Sequence, residues 1–266
     1  MNNRPVLFID SGIGGLPYCR DFNKRNPHEN VCYLADRENF PYGPRRKDEL
    51  ASILISLTEK LLKQIDPKII VLACNTATVS AIDSLRQVFP QIPFVGTVPA
   101  IKPAAKTSKN GKIGVLGSAR TIETTCSLNH AENCEIFGLA APELVEFIER
   151  RFEETNEKEK TEIVQKYINH FRSLNVDTLV LGCTHFLYLL EEFRHEAAPF
   201  IKVFDSIDGI TKRIEFLLDE NDSKLRSEKN NENIHRLLIT GKEPPCSFWQ
   251  NRAKKLGFNI NLLSEI

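Results

Sequence analysis

Three short segments recur along this chain at matched spacing, and that recurrence constrains its fold more than any other feature. Val6–Ser11 matches Ile113–Ser118, Ile70–Thr76 matches Thr178–Thr184, and Phe94–Thr97 matches Val203–Ser206. Ser11 lies 63 residues before Cys74, and Ser118 lies 65 before Cys183. Cys74 to Thr97 and Cys183 to Ser206 are both 23 residues. Two related halves explain three elements repeating in the same order at near-constant spacing.

The repeated segments are short apolar runs, and amphipathic stretches lie between them. That alternation predicts an α/β protein built on parallel sheet. Strands are expected at Val6–Asp10, Val31–Ala35, Ile69–Cys74, Phe94–Gly96, Lys112–Leu116, Thr178–Cys183, Val203–Asp205 and Leu237–Thr240. Leu50, Ile53, Leu54, Leu57 and Leu61 follow helical spacing, as do Ile163, Val164, Tyr167, Ile168, Phe171 and Leu174. Both stripes read as faces packed on a sheet. Helices are also expected over Ala77–Phe89 and His185–His195. Asp219–Asn233 is polar and aperiodic, and reads as an exposed loop or frayed helix end.

Composition narrows the function classes. Lys+Arg and Asp+Glu are both 35, so the formal charge is zero. That argues against a protein devoted to nucleic acid or to anionic membranes. The mean hydropathy is -0.27, and no apolar stretch reaches the ~20 residues of a spanning helix. No secretory signal pattern follows Met1. The seven cysteines are scattered with no C-x-x-C pair, so a disulfide scaffold and a structural zinc site are both poorly supported. The expectation is a cytoplasmic protein with free thiols.

The repeat places Cys74 and Cys183 at equivalent points, each after a buried-looking strand and before a helix. Ligands of open α/β sheets bind at the carboxyl ends of strands. If the halves face each other, the two thiols address one cleft from opposite sides. A helix N-terminus carries unpaired N–H groups and partial positive charge. It favours thiolate over thiol and binds carboxylate. Two such thiols suit inversion of a carbon centre, one removing a proton from one face and the other delivering one to the opposite face. A lone cysteine is ordinarily a small buried hydrophobe. The symmetric pair, followed by Asn75-Thr76 and by Thr184-His185, favours the catalytic reading. His185 is placed to tune a thiol or relay a proton. For Glu149, on an amphipathic stretch, a solvated acid is the default. Asp10-Ser11 and the glycines after it form a turn whose N–H groups can approach an anion. Phe40-Pro41-Tyr42-Gly43-Pro44 is a rigid turn.

Taken together these segments resemble the bacterial glutamate racemases. The resemblance is carried by Phe8–Leu16, Pro41-Tyr42-Gly43-Pro44, Ala73–Ala77, Gly114-Val115-Leu116 with Thr121, Leu181–His185 and Thr240-Gly241. It implies interconversion of L- and D-glutamate with no cofactor and no metal, the D-glutamate going into peptidoglycan. Cys74 and Cys183 match the catalytic bases. Asp10, Ser11, Tyr42, Gly43, Asn75, Thr76, Ser118, Thr121, Thr184 and His185 match positions that bind substrate or assist the thiols. Glu149 matches an acid near the site. The implied fold is two flavodoxin-like parallel-sheet domains related by pseudo-twofold symmetry, with the active site in the cleft between them. The first domain would comprise 1–97 plus 208–266 and the second 98–207. A homodimer is expected, with glutamate as the small-molecule partner and no membrane or nucleic acid.

Several positions depart from the family pattern. Ala141 stands where a cysteine is usual, Ser118 where threonine is common, and Phe186-Leu187 where Tyr-Pro usually follows. Loss of that proline alters the entry into the following helix, because proline pre-sets φ there. The short lead before the first strand argues against regulation by a peptidoglycan precursor. Two further readings stay open: an aspartate racemase of the same two-thiol superfamily, and a non-catalytic binding protein of this fold, for example one acting on gyrase.

Overall fold

The computed structural model describes residues 3–127, 134–221 and 235–265. The chain forms two compact units, Met1–Thr97 with Ile207–Ile266, and Val98–Ser206.

The first unit contains β1 (Val6–Asp10), α1 (Leu16–Arg25), β2 (Val31–Ala35), α2 (Lys47–Gln64), β3 (Ile69–Leu72), α3 (Asn75–Val88) and β4 (Phe94–Gly96). The second contains α4 (Ile101–Thr107), β5 (Lys112–Gly117), α5 (Ala119–Ser127), β6 (Glu135–Ala140), α6 (Pro142–Arg150), α7 (Glu157–Ser173), β7 (Thr178–Gly182), α8 (Leu190–Ala197) and β8 (Lys202–Phe204). The chain then returns to the first unit with α9 (Ile207–Glu220), β9 (His235–Ile239), α10 (Ser247–Leu256) and β10 (Asn259–Leu262).

Both sheets are parallel. Their orders are β10-β9-β2-β1-β3-β4 and β6-β5-β7-β8. The first four strands of each unit therefore run second-first-third-fourth, and the repeated segments fall on matching strands: β1 with β5, β3 with β7, β4 with β8. The α/β class with two parallel sheets is as expected. The central strands β1, β2, β3 and β7 are buried along their whole length, which is why they read as unbroken apolar runs.

The helical stripes are core faces. Leu50, Leu54, Leu57 and Leu61 of α2 are buried against Leu7, Ile9 and Leu34 in one cluster. Val164, Tyr167, Ile168 and Phe171 are the buried side of α7. No described helix is long and apolar enough to cross a membrane.

Three expectations need adjustment, and a fourth falls mostly outside the described residues. The strands ahead of the two cysteines end at Leu72 and Gly182, leaving each cysteine just outside. β6 and β10 had no counterpart in the sequence reading; both lie at sheet edges and are half-exposed, so neither shows a buried apolar run. A 3-10 helix over Thr184–Leu189, not an α-helix, follows Cys183, and α8 begins only at Leu190. In the polar stretch Asp219–Asn233, α9 continues to Glu220; residues 222–234 lie outside the described residues.

Candidate active site

In the first unit, the carboxyl ends of β1 and β3 and the turn after β2 bring the sequence-flagged groups together. Asp10 ends β1, is fully buried, and accepts a hydrogen bond from the Gly12 N–H at 2.7 Å. The Tyr33 hydroxyl donates to the Gly12 carbonyl at 2.8 Å and accepts from the Gly15 N–H at 3.2 Å, closing the turn. A Cβ on Gly15 would lie 2.5 Å from the Ala73 Cβ. Glycine there lets the turn lean directly on the residue before Cys74. Ser11 is buried beside Asp10.

Cys74 caps α3 in extended conformation (φ -144°, ψ 122°), and its carbonyl accepts from the Thr78 N–H at 2.9 Å. Its side chain is half-buried. Asn75 and Thr76 form the first turn of α3 and are buried. Asn75 Oδ1 has no hydrogen-bond partner among the described residues. A buried carbonyl oxygen without a donor is costly unless a ligand or water supplies one.

Tyr42 is buried, and its hydroxyl donates to Asp36 Oδ2 at 2.7 Å. Burial first, then the charge and hydrogen bond of Asp36 and the nearby Cys74 and Asp10, hold the phenol well above its ordinary pKa. It is a neutral donor already committed to Asp36. What the Tyr42–Gly43 pair can offer a ligand is therefore backbone. Space around the Gly43 α-carbon is open, and a Cβ there would meet nothing within 4 Å.

In the second unit, Cys183 also stands after its strand in extended conformation (φ -137°, ψ 134°) and is half-buried. Its carbonyl accepts from the Phe186 N–H at 3.1 Å, three residues on. Thr184 is buried at the start of the 3-10 helix. His185 Nδ1 lies 3.9 Å from Cys183 Sγ, and its Nε2 lies 2.7 Å from Glu149 Oε1. Glu149 is on α6 and only 7 % exposed. The solvated acid expected by default is instead a buried partner of His185.

Burial by itself lowers the pKa of His185. Hydrogen bonds to Cys183 and Glu149, with their charges, outweigh it and raise the imidazole well above its ordinary value. The ring is thus held as imidazolium between a carboxylate and a sulfur. Ser118 precedes α5; its hydroxyl lies 2.9 Å from that of buried Thr121 and accepts the Thr121 N–H at 3.2 Å.

None of the other thiols combines a half-buried side chain with a helix cap: Cys134 is half-buried but precedes β6, and Cys246 caps α10 but is exposed. Cys19 and Cys32 are buried, and desolvation raises both, Cys32 to about 12. Cys126 and Cys246 are exposed. Among the described residues no group of three His, Cys, Asp or Glu side chains could hold a metal ion.

Two contributors carried no signal in the sequence reading. Tyr33 looks like an ordinary strand residue, and Asp36 like a loop acid. The position of Asp36 directly after a strand, at the carboxyl edge, was the available cue.

The Asp/Glu/Hydantoin racemase family profile matches residues 21–213. The chain is 33 % identical to a glutamate racemase of Shewanella sp. (strain MR-7), over 91 % of this chain and 90 % of that protein. It is 35 % identical to a glutamate racemase of Bartonella bacilliformis, over 100 % of this chain and 98 % of that one. Among solved structures it is similar to Escherichia coli glutamate racemase in complex with L-glutamate and the activator UDP-MurNAc-ala. There the TM-score is 0.83 at 27 % identity, covering 97 % of both chains.

Proposed function

This chain belongs to the Asp/Glu/Hydantoin racemase family and is a racemase, and on that premise we propose that it interconverts L- and D-glutamate using Cys74 and Cys183 as its two bases. The observation that carries the mechanism is the equivalent station of the two half-buried thiols. Each follows the third strand of a parallel sheet of the same order, and each precedes a helical turn. Glutamate, rather than another amino acid, is supported by the relatives named above.

One cysteine, as thiolate, takes the α-proton and becomes a thiol. The electron pair left on the α-carbon is delocalised into the substrate carboxylate. The other cysteine, as thiol, delivers a proton to the opposite face and becomes a thiolate. The roles exchange for the other enantiomer, so no net proton is consumed. The weak point is the acidity of the α-proton. Donors preorganised around the carboxylate lower that barrier. Candidates are the Asp10–Gly15 turn, the Tyr42–Gly43 backbone, the α3 N-terminus, and the Ser118 and Thr121 hydroxyls with Thr184. The unpartnered Asn75 Oδ1 suits the substrate ammonium. His185, held by Glu149, assists Cys183. Supply of D-glutamate to peptidoglycan in the cytoplasm rests on the family resemblance.

The test is proton NMR in deuterated water, with D- and L-glutamate offered separately and no cofactor added, alongside polarimetry. Loss of the α-proton signal with change of optical rotation in both directions is expected. Exchange with aspartate and none with glutamate would move the substrate assignment. Silence with both would leave a binding protein.

A further inference from the structure

The mechanism uses the Tyr42–Gly43 backbone but gives no role to Asp36, the carboxylate that accepts the Tyr42 hydroxyl. Asp36 directly follows β2 and is fully buried. Its Oδ2 accepts the Tyr42 hydroxyl at 2.7 Å, and its Oδ1 accepts the Thr240 hydroxyl at 2.7 Å. The Asn39 amide donates to both oxygens at 3.1 and 3.0 Å. Each carboxylate oxygen thus accepts two hydrogen bonds. The Asp36 N–H donates to the Asp10 carbonyl at 2.8 Å. The Thr240 hydroxyl in turn accepts the Glu38 N–H at 3.0 Å. Through its backbone N–H and its carboxylate, this one residue ties together the ends of β1, β2 and β9 and the turn leading to Gly43.

Packing does not back this network on every side. Asp36, Asn39, Thr240 and Gly241 form part of the wall of a cavity of about 580 Å³, whose lining also includes Ser56 and Lys60 of α2. On the Asp36–Asn39 side hydrogen bonds face open space, while the Tyr42 ring is packed in the apolar cluster with Leu7, Leu34, Leu50 and Leu54. Mispositioning of a binding backbone by even about 1 Å is expensive for a bound substrate.

We infer that Asp36 is a positioning residue that sets the Tyr42–Gly43 backbone for substrate, and that Thr240 acts through it. The inference rests on reading Tyr42–Gly43 as part of the glutamate site. It assigns the Tyr42 hydroxyl to Asp36 and leaves the backbone to the ligand.

The experiment is steady-state racemisation by Asp36→Ala, Asp36→Asn, Tyr42→Phe and the Asp36→Ala/Tyr42→Phe double variant. Asp36→Ala is expected to raise KM for glutamate about tenfold while kcat changes far less. Tyr42→Phe should raise KM in the same way. The double variant should be no worse than Asp36→Ala, because both act through one network. Asp36→Asn should recover part of the loss, since both hydroxyls can reverse their hydrogen bonds. A purely structural role would reduce the active fraction, and so apparent kcat, and leave KM alone. Unchanged KM in folded Asp36→Ala, or additive effects in the double variant, would overturn the inference. If Asp36→Ala does not fold, Thr240→Val gives the same KM readout with one donor removed. Wild-type protein inactive on glutamate would sink the substrate reading itself; active wild type with unmoved KM would sink the positioning role alone.

Discussion

The surroundings of Cys74 and Cys183 share a backbone plan and differ in everything attached to it. Both cysteines are extended residues after the third strand of a parallel sheet, with φ of -144° and -137° and ψ of 122° and 134°. After Cys74 the first bond closes on Thr78, four residues on, and a 14-residue α-helix follows. After Cys183 it closes on Phe186, three residues on, and a 3-10 helix follows. Cys74 is neighboured by uncharged Asn75 and Thr76. Cys183 has an imidazolium held by a buried carboxylate. The sheet ends differ too. Gly117 and Gly182 end β5 and β7, and a Cβ on Gly117 would sit 3.2 Å from the Gly182 carbonyl oxygen. The matching positions in the first unit hold Asp10 and Ala73, so a carboxylate side chain stands where the second unit has bare backbone. The lesson is that the repeat preserved a scaffold and a thiol while the charged apparatus differs on the two sides.

Replacing either thiol is the harshest test of their equivalence. Cys74→Ser and Cys183→Ser are each expected to cut racemisation by about 10²–10⁴-fold, measured by polarimetry from either enantiomer. Near-normal turnover in one of them would break the comparison by making that thiol a bystander.

Glu149→Gln sharpens the difference between the sides. Without the carboxylate, His185 loses its proton at lower pH. The alkaline limb of the rate profile should move down in pH, with kcat/KM reduced about 10–10²-fold. Because enantiomers have equal free energy, kcat/KM must fall equally in both directions. Stability follows the same group. A histidine raised above its unfolded pKa stabilises fully below the ordinary value of about 6.5, and that contribution is lost as pH rises through the folded value. The wild-type advantage over Glu149→Gln should therefore be about 1.5–3 kcal/mol near pH 6 and shrink at alkaline pH, as read by denaturant titration. An advantage that grows with pH would contradict the imidazolium assignment.

The smallest effect on folding is expected at Asn75. Its buried Oδ1 makes no hydrogen bond among the described residues, so Asn75→Ala should change stability by about 1 kcal/mol or less while raising KM for glutamate. Calorimetric titration with D-glutamate checks the second half. Unchanged affinity would remove Asn75 from the binding set.

Much of the site was legible before the fold. The buried strands announced themselves as apolar runs, and the equal 23-residue spacing picked out Cys74 and Cys183 from seven cysteines. Edge strands β6 and β10 were silent because half-exposed strands need no apolar run. The 3-10 entry after Cys183 was foreshadowed only by the departure at Phe186-Leu187.

The sequence by itself determined the parallel α/β class, the repeated strand–thiol units and the family. Those are local or periodic properties, written in runs and spacings that a linear chain displays. Tertiary structure decided which groups meet. Glu149 reaches His185 across 36 residues, and Thr240 reaches Asp36 across 204. No local pattern encodes such pairs, because their hydrogen bonds exist only once separate strands and helices have packed and excluded water from both partners.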